Sequence, residues 1–141
     1  MGNKMSINKI GFEDIQYITK HKKKNYMLIN TLNTTEQQCL IPNTISVKDE
    51  ETVINKYLNK NITIIIYGKN SNDETIFKKY EQLLNLGFSN VFVYTGGLFE
   101  WLLLQDIYGK EEFPTTSDEL DILKYRAKSI LQNTLLLENV D

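Results

Sequence analysis

The chain has 141 residues, 41% of them hydrophobic and 24% charged, with a formal net charge of −2. That length suits one domain able to bury a substantial core, and the near-neutral charge excludes the electrostatic signature of a nucleic-acid binder. No apolar run approaches the ~20 residues a membrane span needs, and one cysteine, Cys39, excludes an internal disulfide and fits a reducing, cytoplasmic compartment.

Residues 1–9 are polar, contain Lys4 and Lys9, and read as a loose tail with no apolar signal segment. GFEDIQYITK follows, with Phe12, Ile15 and Ile18 on one face, acids early and lysine late, which is the pattern of a short amphipathic helix. His21 to Lys24 is a basic loop, read as a solvated turn. Tyr26 to Thr31 is a short apolar strand, and CLIPNTISV, interrupted by Pro42, is a loop leading into an edge strand. Asp49 to Leu58 reads as a helix with Val53, Ile54, Tyr57 and Leu58 inward.

Ile62 to Tyr67 is almost continuously β-branched or aromatic, as a strand buried on both faces requires. It stops at Gly68 and is followed by the polar loop Gly68, Lys69, Asn70, Ser71, Asn72, Asp73. The turn after the carboxyl end of a central strand is where α/β folds place ligands and nucleophiles. Ser71 and Glu74 have the spacing of a capping box, opening a helix with Phe77, Tyr80, Leu83 and Leu84 inward. Gly87 sits at the left-handed position of its C-cap, with Phe88 packing back. Val91 to Tyr94 is a second buried strand, and Gly96 and Gly97 turn into an apolar helix ending at Gly109. The order is helix, strand, strand, helix, strand, helix, strand, helix, which means a parallel α/β sheet of four or five strands with helices on both faces. Beyond Pro114, Thr116 and Glu119 have capping-box spacing, and Leu120, Leu123, Ala127, Ile130 and Leu131 share one helical face. Residues 113–141 therefore read as an amphipathic helical extension of a domain spanning 10–112. It packs on that domain or serves a partner, a second copy of the chain included.

Four segments carry a resemblance: IPNTI at Ile41 to Ile45, IIIYG at Ile64 to Gly68, LLNLGFSNV at Leu83 to Val91, and VYTGGLFEW at Val93 to Trp101. In order and spacing they resemble the rhodanese-like domain over about residues 10 to 109, with a weaker likeness to rhodanese-like proteins of large DNA viruses and protists. The resemblance implies a three-layer α/β fold. It also implies a cysteine nucleophile opening the loop after the central strand, where backbone N–H groups and a helix N-terminus stabilise a thiolate and its persulfide.

Here that nucleophile position is Gly68, the loop's usual glycine falls at Ser71, and its usual arginine falls at Asp73, whose charge would repel an anion. The family's common Asp-x-Arg falls at Asn30 and Leu32, and the glycine and alanine of its I-P-G-A segment fall at Asn43 and Thr44. Retention of the scaffold residues without the catalytic ones implies an inactive rhodanese-like domain with a binding, regulatory or scaffolding role, its partner another protein. The alternative is an unorthodox sulfurtransferase or sulfur carrier using Cys39. No adjacent Lys, Arg or His lowers the pKa of Cys39, so it reads as an inert, half-buried thiol. One His and one Cys do not make a metal site, Gly96 and Gly97 lack the third glycine of a nucleotide fingerprint, and no cofactor is expected. Ser71 has no visible base and reads as a cap. Lys69 and the amides of residues 68–72 are the candidates for weak anion binding.

Overall fold

The computed structural model describes residues 6–21 and 25–131. Its strands are β1 (Lys9–Ile10), β2 (Tyr26–Asn30), β3 (Thr44–Ile45), β4 (Thr63–Tyr67) and β5 (Asn90–Tyr94). Its helices are α1 (Phe12–His21), α2 (Val47–Lys56), α3 (Thr75–Asn85) and α4 (Gly97–Tyr108). The strands form one sheet in the order β1-β5-β4-β2-β3, every pairing parallel. β4 lies at its centre, with Ile65 beside Leu28 of β2 on one side and Phe92 of β5 on the other.

The apolar run of β4 is explained by the two layers it separates. Ile64 and Ile66 pack with Ile54 of α2 and with Ile76, Tyr80 and Leu83 of α3. Ile65 and Tyr67 point the other way, into Ile15 of α1 and Leu98, Trp101 and Leu102 of α4. Successive side chains on a strand alternate faces, so a strand covered on both sides must be apolar at every position. Each such isoleucine contributes roughly 1.5–3 kcal/mol through burial. This places the carboxyl end of β4, and the loop it feeds, at the middle of the sheet's edge. Among the described residues no helix is long and apolar enough to cross a membrane.

Several boundaries differ from the pattern-based reading. Lys9, assigned to the loose tail, belongs to β1; Val93 N donates to Asn8 O at 2.8 Å, so the ordered sheet begins earlier. A two-residue edge strand has no periodicity to detect. α2 runs Val47–Lys56, so Leu58, expected on its inner face, lies beyond its C-cap at Tyr57 and is 91% exposed. In α3 the buried positions are Ile76, Tyr80 and Leu83, at i, i+4 and i+7, so Ile76 and not Phe77 takes the inward position.

The larger correction concerns the C-terminal segment. No helix runs from Thr116 through Ile130; the described chain there is irregular apart from one 3-10 turn at Ile122–Tyr125. The reason lies in where the polar groups find partners. Thr116 N donates to Leu40 O (2.8 Å), Thr116 Oγ1 accepts from Leu40 N (3.0 Å) and donates to Gln38 O (2.8 Å), and Ser117 Oγ donates to Gln38 O (2.9 Å). These bonds replace the cap that Thr116 and Glu119 would have made, and Glu119 instead accepts from Asp121 N and pairs with Lys124. Leu120, Leu123, Ile130 and Leu131, expected on a buried face, are exposed, while Phe113 and Tyr125 are the buried side chains. Residues 132–141 of the expected helix lie outside the described residues, as does most of the basic loop after His21.

Gly87 confirms the C-cap of α3. Its φ is +100°, Gly87 N donates to Leu84 O, and Phe88 N donates to Leu83 O. That left-handed backbone is costly for a residue with a Cβ. Gly87→Ala should therefore lower unfolding free energy by about 1–2 kcal/mol in urea titration. Gly11→Ala, where a Cβ meets nothing within 4 Å, should change it by less than about 0.5 kcal/mol.

Candidate functional site

Tyr67 ends β4 and is fully buried. Its hydroxyl accepts from Ile41 N (3.2 Å) and lies 2.8 Å from Thr44 Oγ1, so the strand is bolted to the segment that precedes β3. Burial pushes the phenol's pKa well above its ordinary value of 10.0, so it serves as a neutral hydrogen-bonding group. On the Asn43 side of this segment the backbone turns through φ +68°, which asparagine tolerates in place of glycine.

The next residue is Gly68, and there is no room for a side chain on it. A Cβ at this position would collide with the Asp73 carboxylate and come within 2.8 Å of Thr31 Oγ1. Asp73 is the reason the loop has its shape. Its Oδ2 accepts from Lys69 N (2.9 Å), and its Oδ1 accepts from Thr75 N (3.1 Å) and from the Thr75 hydroxyl (2.6 Å). The same hydroxyl lies 2.9 Å from Thr31 Oγ1. The carboxylate thus joins the start of the loop to the start of α3 and satisfies amides that a free helix end would expose.

This corrects the role expected of Ser71. α3 has no capping box: Glu74 precedes its first residue without a side-chain cap bond, and Ser71 is exposed. Both Ser71 and Asp73 are cap-forming residue types in the sequence, and the one two positions before Thr75 makes the bonds.

Asn70 and Lys69 extend the network beyond this carboxylate. Asn70 Oδ1 accepts from Asn72 N (2.9 Å), Asn70 O accepts from Asp73 N (3.2 Å), and Asn70 Nδ2 donates to Tyr125 O (2.8 Å). Lys69 Nζ stands 3.4 Å from Glu36 Oε1. Gly68 O and Lys69 O accept from Leu98 N and Phe99 N, so the first free amides of α4 are directed at the loop's own carbonyls. That approach requires Gly97: its φ is +69°, and a Cβ there would lie 2.7 Å from Asn70 N.

The other sequence-derived candidates lie apart from this loop. Cys39 is buried, and its Sγ donates to Ser117 O at 3.3 Å; no loop amide is among its hydrogen-bond partners. Burial pushes its pKa above the ordinary 9.0, with a hydrogen bond from Thr115 opposing in part, so it is a protonated thiol at neutral pH. His21 is exposed at the end of α1, with Nδ1 2.9 Å from Tyr17 O. Asn30 is buried and makes a reciprocal amide pair with Gln37 (3.0 and 2.8 Å), so neutral hydrogen bonds occupy the place where the resemblance implied a charge pair. Among the described residues no group of three or more His, Cys, Asp or Glu could hold a metal. Two surface depressions, of about 520 and 320 Å³, are formed by α3 residues around Phe77 and by α4 with Asp118 to Ile122; neither includes a residue of the 68–73 loop.

The rhodanese-like domain family matches residues 14–104. Among solved structures, the Alr3790 protein from Anabaena sp. is 20% identical, with a TM-score of 0.57 over 93% of this chain and 94% of that one. A thiosulfate sulfurtransferase from Pseudomonas aeruginosa is 18% identical, with a TM-score of 0.58 over 84% of this chain and 23% of its own. The single-domain sulfurtransferase RDL2 from Saccharomyces cerevisiae is 14% identical, with a TM-score of 0.53 over 75% of this chain and 97% of its own. No curated protein matches. At these identities the likeness to solved structures is a likeness of fold.

Asp73→Ala should cost about 1 kcal/mol of stability in denaturant titration through the lost bonds to Lys69 N and Thr75 N. Ser71→Ala should change it by no more than about 0.5 kcal/mol. A larger loss at Ser71 than at Asp73 would contradict the assignment of the cap.

Proposed function

Because the chain belongs to the rhodanese-like domain family, we propose that it is a member without sulfur-transfer activity that works by binding another protein. The observation that carries this reading is Gly68 under the Asp73 carboxylate. Sulfur transfer in this family's manner needs a thiolate at the mouth of the loop, with amides free to stabilise it and the persulfide it becomes. Position 68 supplies no sulfur. The Lys69 and Thr75 amides already serve a carboxylate, and the α4 amides serve the loop carbonyls. An incoming anion would meet a fixed negative charge in the same place.

A binding role is supported by the surface. α4 is apolar on nearly every side, and Leu103, Ile107 and Tyr108 are exposed on it. A helix apolar all round is normally covered, and an exposed stretch of this kind suits a protein partner. The single reduced thiol suits a reducing, cytoplasmic setting.

The competing reading assigns sulfur chemistry to Cys39, which would need to be ionised and accessible. Its burial and raised pKa oppose both. In a thiosulfate:cyanide sulfur-transfer assay, purified protein should give no thiocyanate above the buffer rate. Turnover abolished by Cys39→Ser would establish the competing reading instead.

A further inference from the structure

Residues 113–126 cross the molecule as a strap. At one end Phe113 is buried against Trp101 (ring centroids 5.0 Å apart) and Phe12 (5.7 Å). There Trp101 Nε1 donates to Pro114 O (2.8 Å), and Gln105 Nε2 donates to Phe113 O (2.7 Å). In the middle, Thr116 and Ser117 bond to Gln38 and Leu40 on either side of Cys39, and the cysteine's own thiol donates to Ser117 O. At the far end Tyr125 is buried in the same cluster as Cys39 and Tyr67, and its carbonyl accepts from Asn70 of the loop. Between these anchors Leu120 is 95% exposed and Leu123 is 58% exposed, while Ile122 is partly buried against the core.

We propose that this strap is a latch that opens as a unit, separately from the sheet, and that its opening uncovers Cys39 and one flank of the Gly68–Asp73 loop. The distribution of interactions supports the separation. The strap lies outside every sheet ladder, its regular structure is one 3-10 turn, its distal half is anchored by Tyr125, the Asn70 bond and the partly buried Ile122, and the Thr116 and Ser117 hydroxyl bonds to Gln38 O lie at the surface. Segments with few buried anchors and exposed hydrogen bonds open at lower free energy than the core strands. Sulfur chemistry plays no part in the proposal, which stands or falls independently of the loop's catalytic competence.

Cys39 is the single thiol of the chain and reports the opening directly. Its modification by a small disulfide reagent is followed in the full-length protein under native conditions, beside global unfolding in urea and amide exchange. The latch requires labelling of the wild type to be protected by a smaller factor than global unfolding alone would give. The Thr116 amide should exchange with the labelling step, and the β4 amides only with global unfolding. Thr116→Val, which removes the hydroxyl's bonds to Gln38 O and Leu40 N, should speed labelling about fivefold or more. It should leave β4 protection within its change in global stability. Tyr125→Ala should do the same to a greater degree. Labelling protection equal to the global unfolding equilibrium in the wild type, or labelling unaffected by Thr116→Val, would overturn the latch, and neither result depends on whether Tyr125→Ala folds.

Discussion

The Asp73 carboxylate is the interaction on which the rest of this site depends. It accepts three hydrogen bonds, from Lys69 N, Thr75 N and the Thr75 hydroxyl, and it stands where a side chain on Gly68 would begin. A carboxylate that receives backbone N–H donors in a confined site forms charge-assisted bonds, stronger than neutral ones. With this anion covalently in place, the loop is tied to the elements around it. Gly68 and Lys69 then offer their carbonyls to α4, Asn70 reaches Tyr125, and Lys69 turns to Glu36. The loop is therefore organised around an anion that belongs to the chain.

Around that loop the fold is built from a strand buried on both faces from Ile64 to Tyr67. β4 is covered on both faces, so its four isoleucine and tyrosine positions from Ile64 to Tyr67 act as the common wall of two apolar layers. Parallel pairing to β2 and β5 fixes its register, and Tyr67, Thr31 and Asn30 at the ends of the strands pin the connecting segments by hydrogen bonds. The strap adds a second closure, from the opposite side, through Asn70 and Tyr125. Together the scaffold and the loop's hydrogen bonds give a well-ordered site.

Much of this was legible in the residues. The run at Ile64 to Tyr67 announces a strand buried on both faces, and Gly87 announces a left-handed cap. What the sequence hid was long-range competition for hydrogen bonds. Ser71 and Asp73 are both good caps, and only the three-dimensional path of the loop selects Asp73. Thr116 and Glu119 satisfy a helix-capping pattern, yet Gln38 and Leu40, some 78 residues earlier, take the threonine's groups. The helical spacing of Leu120, Leu123, Ile130 and Leu131 is a local pattern with no burial behind it; the described chain leaves these residues exposed and buries Phe113 and Tyr125. β1 was too short to announce itself, and its two residues are stabilised by pairing with β5.

The central claim, that the Asp73 carboxylate holds the space a side chain at position 68 would need, is tested most directly by a double-mutant cycle in urea. Gly68→Ala should destabilise the wild type by about 1–3 kcal/mol, as overpacking does. Made together with Asp73→Gly it should cost at least about 1 kcal/mol less than in the wild type, the coupling expected of groups that compete for one volume. Additive effects at the two positions would contradict the account.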